Sequence, residues 1–171
     1  ITPTINGMKL EGYPYEGILY AGVMITDKGP KVIEFNCRFG DPETQVVLPR
    51  LNTDLVSIIQ KTIKKNIKDI TIDFIPQSAI TVVIASKGYP GEFKKEVLLP
   101  SLKNFNDKTD ISVFHSGTSK DKNGNIVSNG GRVLSITSVG ANVQDCRQKA
   151  YGIVEAINWE QGFYRKDIGN L

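Results

Sequence analysis

The chain has 171 residues, 40% of them hydrophobic and 23% charged, with a formal net charge of +3. These values suit one globular domain or two small ones with a real core, and they exclude a disulfide-stapled miniprotein. No apolar run approaches the roughly 20 residues of a bilayer-spanning helix, so no membrane association is expected, and the densest lysine stretch, Lys61 to Lys68, is interrupted by Thr62, Ile63, Asn66 and Ile67. It reads as a solvated helix end rather than a nucleic-acid surface.

Taken in chain order, Ile1-Thr2-Pro3-Thr4 shows neither the basic region nor the apolar core of a signal peptide, which points to a cytoplasmic setting. Residues Pro3 to Glu11 read as the tail of a helix or linker entering from upstream, and with no initiating Met the chain is expected to be a piece of a longer protein. Gly17 to Thr26 and Lys31 to Asn36 are strand-like runs separated by Asp27-Lys28-Gly29-Pro30. That pattern predicts a β-hairpin with a loop of about four residues. A helix is predicted from Thr53-Asp54 onward, with Thr53 as N-cap and with Leu55, Ile58, Ile59 and Ile63 on one face. The polar stretch from Lys64 to Asp69 marks the expected boundary between two structural units, 1–68 and 69–171.

The second unit opens with a predicted strand at Ile70 to Phe74 and a run from Ala79 to Ala85, apolar apart from Thr81, which suits a central, buried strand. Ile111 to His115 is a further strand. Asn123-Gly124 predicts a tight hairpin turn, because both residues tolerate positive φ. Arg132 to Val139 is strand-like, and a last helix from about Asn142 to Trp159 carries the stripe Val143, Cys146, Ala150, Ile153, Val154 and Ile157, with Asn142 and Asp145 as a capping pair. The two cysteines, Cys37 and Cys146, lie far apart and have only His115 for company, which matches no common zinc pattern. Reduced, non-catalytic thiols are expected, with Cys37 assigned to packing.

Chemistry concentrates in Glu34-Phe35-Asn36-Cys37-Arg38-Phe39-Gly40-Asp41-Pro42-Glu43-Thr44-Gln45. On a strand, side chains alternate with a period of two, so Glu34 and Asn36 share a face while Ile33 and Phe35 take the other, with Phe35 expected in the core. A carboxylate beside an amide oxygen is a pair of hard ligands, and magnesium commonly takes one or two protein groups together with substrate phosphates and water. Arg38 follows as a guanidinium able to grip a phosphate in fork geometry. The alternative is an exposed strand face with a surface Glu34–Arg38 ion pair, and spacing alone does not separate the two.

The same twelve residues resemble the signature of the glycinamide ribonucleotide synthetase family of the ATP-grasp superfamily. The likeness extends in order along the chain: Gly12-Tyr13-Pro14-Tyr15, Gly17-Ile18-Leu19-Tyr20-Ala21-Gly22, Ser86-Lys87-Gly88-Tyr89-Pro90-Gly91, Phe114-His115-Ser116-Gly117-Thr118, Asn129-Gly130-Gly131-Arg132-Val133-Leu134 and Tyr164-Arg165-Lys166-Asp167-Ile168-Gly169. The resemblance implies an α+β fold: the C-terminal half of an ATP-grasp domain, an antiparallel sheet with helices, followed by a small mixed α/β C-terminal domain.

It also implies an ATP-dependent ligation of glycine to 5-phosphoribosylamine, giving ADP and phosphate by way of a glycyl phosphate, with positioning and charge neutralisation as the main demands. Glu34 and Asn36 match the family's magnesium or manganese ligands. Arg38 matches an arginine beside the transferring phosphate, and Asp41 sits where a carboxylate would hold the glycine ammonium. Glu43 and Gln45 have a rival role in capping the next segment, and His115 and Arg132 a rival role in hydrogen-bonded structure. The family's N-terminal domain and ATP lid are absent from these residues, so this chain is expected to pack against that missing part and to lack a competent ATP site by itself. The alternatives are another ATP-grasp ligase or carboxylase, and a non-catalytic binding or assembly module.

Overall fold

A computed structural model describes residues 1–105 and 109–170. The chain groups into two compact units, one formed by 1–44 with 51–74 and the other by 45–50 with 75–171. The fold is α+β.

In the first unit, helix α1 (Thr2–Leu10) has Pro3 within its first turn, where a missing N–H costs nothing. Strands β1 (Tyr20–Thr26) and β2 (Gly29–Asn36) pair antiparallel, with Thr26 opposite Gly29. The connection is therefore the two residues Asp27 and Lys28, shorter than the four expected, because Gly29 at φ +89° and Pro30 are already in the ladder. The register runs Tyr20–Asn36, Ala21–Phe35, Gly22–Glu34 and then Val23–Val32, so Ile33 is an extra residue in β2. This is a β-bulge, a device that sharpens local twist and re-aims neighbouring side chains. Phe35 does not enter a core. It is exposed, as are Val23, Ile25 and Val32, which follow from the register as members of its face or its continuation.

Helix α2 (Thr44–Val47) follows, and helix α3 (Leu55–Ile63) begins at Asp54, whose carboxylate accepts from Ser57 N at 2.7 Å. Asp54, not Thr53, is the N-cap. Thr53 is engaged elsewhere: its hydroxyl donates to Thr71 O and accepts from Asp73 N at 2.7 Å. Of the apolar face expected on α3, Ile58 is buried, whereas Ile59 and Ile63 are exposed. Ile70 to Phe74 forms no strand. Its backbone meets 51–53 through a single bridge, Leu51–Phe74, and hydrogen bonds from Asn52 N and Thr53 N to Asp73 O, too few for a ladder.

The second unit is built on an antiparallel four-stranded sheet. Strands β3 (Ser78–Ser86), β4 (Ile111–His115), β7 (Arg132–Gly140) and β8 (Gly162–Phe163) lie in the order β4-β7-β3-β8. Strands β5 (Thr118–Lys120) and β6 (Ile126–Ser128) form a separate ribbon. The apolar run of β3 is central, as its lack of alternation requires, with Val82 opposite Ile136 and Ile84 opposite Leu134. Helix α4 (Val143–Ile157) covers the sheet with Cys146, Ala150, Ile153, Val154 and Ile157, which join Ile80, Val82, Ile84, Val133, Leu134 and Ile136 in one core. Asn142 caps it by accepting from Asp145 N, and Asn158 ends it in the left-handed region.

The β5–β6 connection departs from the tight turn expected of Asn-Gly. It spans Asp121 to Asn125, and only Gly124 takes positive φ. The cause is Asp121, whose carboxylate accepts from the backbone N–H of Asn123 and Asn125 and from the Asn125 amide, an Asx arrangement that replaces the turn. Nearby, the backbones at Gly117 and Gly130 touch: a Cβ on either would lie 2.6 Å or 2.9 Å from the other's Cα.

Candidate active site

The hairpin positions the functional segment. Directly opposed residues on paired strands share a face, so Tyr20, Gly22, Glu34 and Asn36 form one polar patch at the open end of β1–β2. Gly22 gives the patch room. A Cβ there would lie 3.2 Å from Glu34 Cγ, so the absent side chain leaves room for the glutamate to stand over the opposite strand.

Within the patch, Asn36 Nδ2 donates to Glu34 Oε1 at 2.9 Å, and Arg38 Nη2 donates to Asn36 Oδ1 at 3.2 Å. A second guanidinium nitrogen, Nη1, donates to Phe39 O at 2.7 Å. Glu34, Asn36 and Arg38 are thus brought into one relay, and the simple surface ion pair between Glu34 and Arg38 does not form, because Asn36 lies between them. Beyond Arg38 the chain turns through Gly40 to Thr44, where Thr44 N and Thr44 Oγ1 both donate to Gly40 O. The peptide bond before Pro42 is cis. Asp41 occupies this turn and is exposed.

Glu43 takes a part that the linear sequence did not reveal. Its Oε1 accepts from the Tyr20 hydroxyl at 3.0 Å, linking β1 to the turn across 23 residues. The phenol is held above its ordinary value chiefly by that hydrogen bond, with burial and the charges of Glu43 and Glu34 acting in the same direction. Tyr20 therefore senses both carboxylates. The register was the missing signal: a two-residue connection and one extra residue at Ile33 bring Tyr20 opposite Asn36.

Cys37 is exposed rather than packed, and it lies beside Tyr15, whose phenol is raised first by burial and then by the neighbouring thiol. In the second unit, His115 Nδ1 pairs with Thr118 Oγ1 at 3.0 Å, and Arg132 Nε donates to Tyr89 Oη at 3.5 Å. Both belong to the contacts around the loops of the second unit. Among the described residues, no group of three or more His, Cys, Asp and Glu side chains is arranged to hold a metal. The donor set at Glu34 and Asn36 nevertheless fits a hard cation that brings most of its own ligands, since a carboxylate and an amide share one strand face; in this structure the amide turns its Nδ2 to Glu34 and its Oδ1 to Arg38.

Sequence profiles identify the segment that carries this patch. Residues 1–44 match "Phosphoribosylglycinamide synthetase, ATP-grasp (A) domain", and residues 79–171 match "Phosphoribosylglycinamide synthetase, C domain". The chain belongs to the phosphoribosylglycinamide synthetase family. Relatives in that family include the phosphoribosylamine–glycine ligase of Rhizobium meliloti, 43% identical over 169 residues that cover 99% of this chain and 39% of the relative. The trifunctional purine biosynthetic protein adenosine-3 of Gallus gallus is 47% identical over 97% of this chain and 16% of its own length. A crystal structure of the ligase from Thermotoga maritima superposes with a TM-score of 0.71 at 30% identity, covering 94% of this chain and 39% of that one. The chain thus spans about two fifths of the length of the bacterial ligase relatives it matches. The matches support neither another ATP-grasp ligase or carboxylase nor a non-catalytic module. No helix among the described residues is long and apolar enough to cross a membrane.

Proposed function

We propose that this chain is part of a phosphoribosylamine–glycine ligase, which joins glycine to 5-phosphoribosylamine with ATP cleaved to ADP and phosphate. The observation that carries the reading is the Glu34–Asn36–Arg38 relay, which lies within the segment that matches the synthetase's ATP-grasp domain. In this reading 1–68 is the closing part of the ATP-grasp domain and 69–171 the C-terminal domain. The exposed apolar residues of the hairpin and α3 pack against the N-terminal portion of the same enzyme, and the enzyme works in the cytoplasm.

Glu34 and Asn36 would hold a magnesium or manganese ion. Such an ion supplies charge neutralisation to the phosphate oxygens during phosphoryl transfer. Arg38 carries a fixed positive charge next to that pair, because its guanidinium is anchored at Asn36 Oδ1 and Phe39 O, and it stabilises charge on the transferring phosphoryl group. Asp41, exposed in the following turn, offers its carboxylate to the glycine ammonium. The glycine carboxylate accepts the γ-phosphoryl group, and the amine of phosphoribosylamine then displaces phosphate from the resulting glycyl phosphate.

The test is turnover of the full-length protein containing this chain, with glycine, phosphoribosylamine and ATP, followed by ADP release. Glu34→Ala is expected to lower kcat by on the order of 10²–10³-fold, the range found for a single electrostatic group at such sites. Activity within a few-fold of wild type would remove Glu34 from the site. The 171-residue chain alone is expected to bind Mg-ATP no more tightly than millimolar by calorimetric titration, and micromolar binding would contradict the division of the site between this chain and the preceding sequence.

A further inference from the structure

The turn that carries Asp41 has to be held at a fixed distance from the Glu34–Asn36 pair if its side chain and those two are to act on one substrate. The hydrogen bonds from Thr44 N and Thr44 Oγ1 to Gly40 O fix the shape of the turn but do not attach it to the strands. A side-chain contact between Tyr20 and Glu43 does attach it. Tyr20, opposite Asn36 in the ladder, donates its hydroxyl to Glu43 Oε1 at 3.0 Å. Glu43 is in turn seated on Gly40: a Cβ at position 40 would fall 2.3 Å from Glu43 Oε2 and 2.9 Å from its Cδ. The carboxylate is therefore clasped between a strand residue on the patch and the first residue of the turn.

We propose that Tyr20 is a positioning residue for the ligase site: by hydrogen-bonding Glu43 it fixes the Gly40–Thr44 turn, and with it Asp41, against the Glu34–Asn36 face. This rests on the function proposed above. Tyr20 touches neither substrate nor metal in this role, and Glu43 serves as an acceptor, not as a ligand or a base. The elevated phenol agrees, since a phenol that donates to a carboxylate and faces a second one keeps its proton. A hydrogen bond to a charged group is strong enough to move a loop population by about an order of magnitude.

The test uses the full-length protein with Tyr20→Phe, Glu43→Ala, Glu43→Gln and the Tyr20→Phe/Glu43→Ala pair, beside Glu34→Ala. Tyr20→Phe and Glu43→Ala are each expected to raise the KM for glycine and lower kcat/KM about tenfold. The double variant should be no worse than either single one, because the two residues act through one bond. Glu43→Gln keeps an acceptor oxygen and should recover most of the loss. Manganese binding, followed by electron paramagnetic resonance, should be unchanged in Tyr20→Phe and Glu43→Ala and weakened in Glu34→Ala. Hydrogen exchange over residues 37–44 should quicken about tenfold in Tyr20→Phe while the rest of the protein keeps its wild-type rates.

Additive losses in the double variant would overturn the proposal. So would Glu43→Gln as damaging as Glu43→Ala, or manganese affinity that falls in Glu43→Ala, either of which would make Glu43 a charged participant. Unchanged exchange over 37–44 in Tyr20→Phe would also sink it, and that measurement reads the positioning contact even if the protein has no ligase turnover. Full turnover in Glu34→Ala alongside accelerated exchange in Tyr20→Phe would instead refute the metal assignment and leave the clasp standing.

Discussion

The two units bury their apolar residues very differently. In the second, β3, β7 and α4 enclose a continuous core in which Leu134, Ile136 and Val82 have no exposed surface. In the first, Ile58 is the only buried large hydrophobic residue among those described, while Ile25, Ile33 and Ile63 remain open to solvent. A chain does not keep that much branched aliphatic surface on a hairpin for its own stability. The contrast separates a unit with an enclosed core from one whose large apolar residues lie mostly at its surface.

The sharpest way to break the contrast is through the two thiols, since each unit has one. Cys37 is exposed, whereas Cys146 is fully buried, donates to Ser78 O, and has its thiol pushed up mainly by burial. A thiol reagent is expected to label Cys37 within the mixing time and Cys146 only on unfolding, a difference of several orders of magnitude in rate. Equal rates, read by mass spectrometry of the labelled peptides, would mean that the second unit opens as readily as the first. Next in size is truncation of aliphatic side chains. Leu134→Ala should cost about 2–5 kcal/mol in denaturant unfolding, the usual range for a core leucine. Ile33→Ala, at 64% exposure, should stay within about 0.5 kcal/mol.

Helix caps test whether local order is equally built in both units. Asp54→Ala and Asn142→Ala each remove a side chain that accepts from a first-turn N–H, and each should cost about 1 kcal/mol. A loss at Asn142 alone would show that α3 is not held by its own cap. The smallest effect concerns pH. Asp145 is held below its ordinary value of 3.8, first by Lys149 and then by the N–H of Ala141. A depressed carboxylate contributes stability that is present above the unfolded value and lost as pH falls through the folded one. Wild type should therefore melt above Asp145→Asn at neutral pH, and the gap should close below about pH 4. A gap that persists at pH 2 would show that the ionised carboxylate is not its source.

Where the sequence carries an unambiguous period, it was legible. The largely apolar run of β3 and the stripe of α4 name their own surroundings, and both stand within a residue or two of where the sequence puts them. Neighbouring residues of equal competence were not separable. Thr53 and Asp54 are both good caps, and the choice falls to Asp54 only because Thr53 bonds to Thr71 and Asp73, about 20 residues away. Ile70 to Phe74 has the composition of a strand but meets 51–53 at a single bridge, and composition says nothing about partners. In the site, period two sufficed for Glu34 and Asn36. Tyr20 and Glu43 needed the register, and the register depended on a bulge at Ile33 that alternation alone would have read as one more residue on the Phe35 face.

The contact of Gly117 with Gly130 carries a consequence for how this sequence can drift. Most tight contacts permit compensation, in which a larger side chain on one side is answered by a smaller one on the other. Here both partners are already at the lower limit of size, so no second substitution at the partner position can make room for a first. Enlarging either of these residues, which lie thirteen positions apart, therefore demands a shift of backbone that a change at the other cannot relieve.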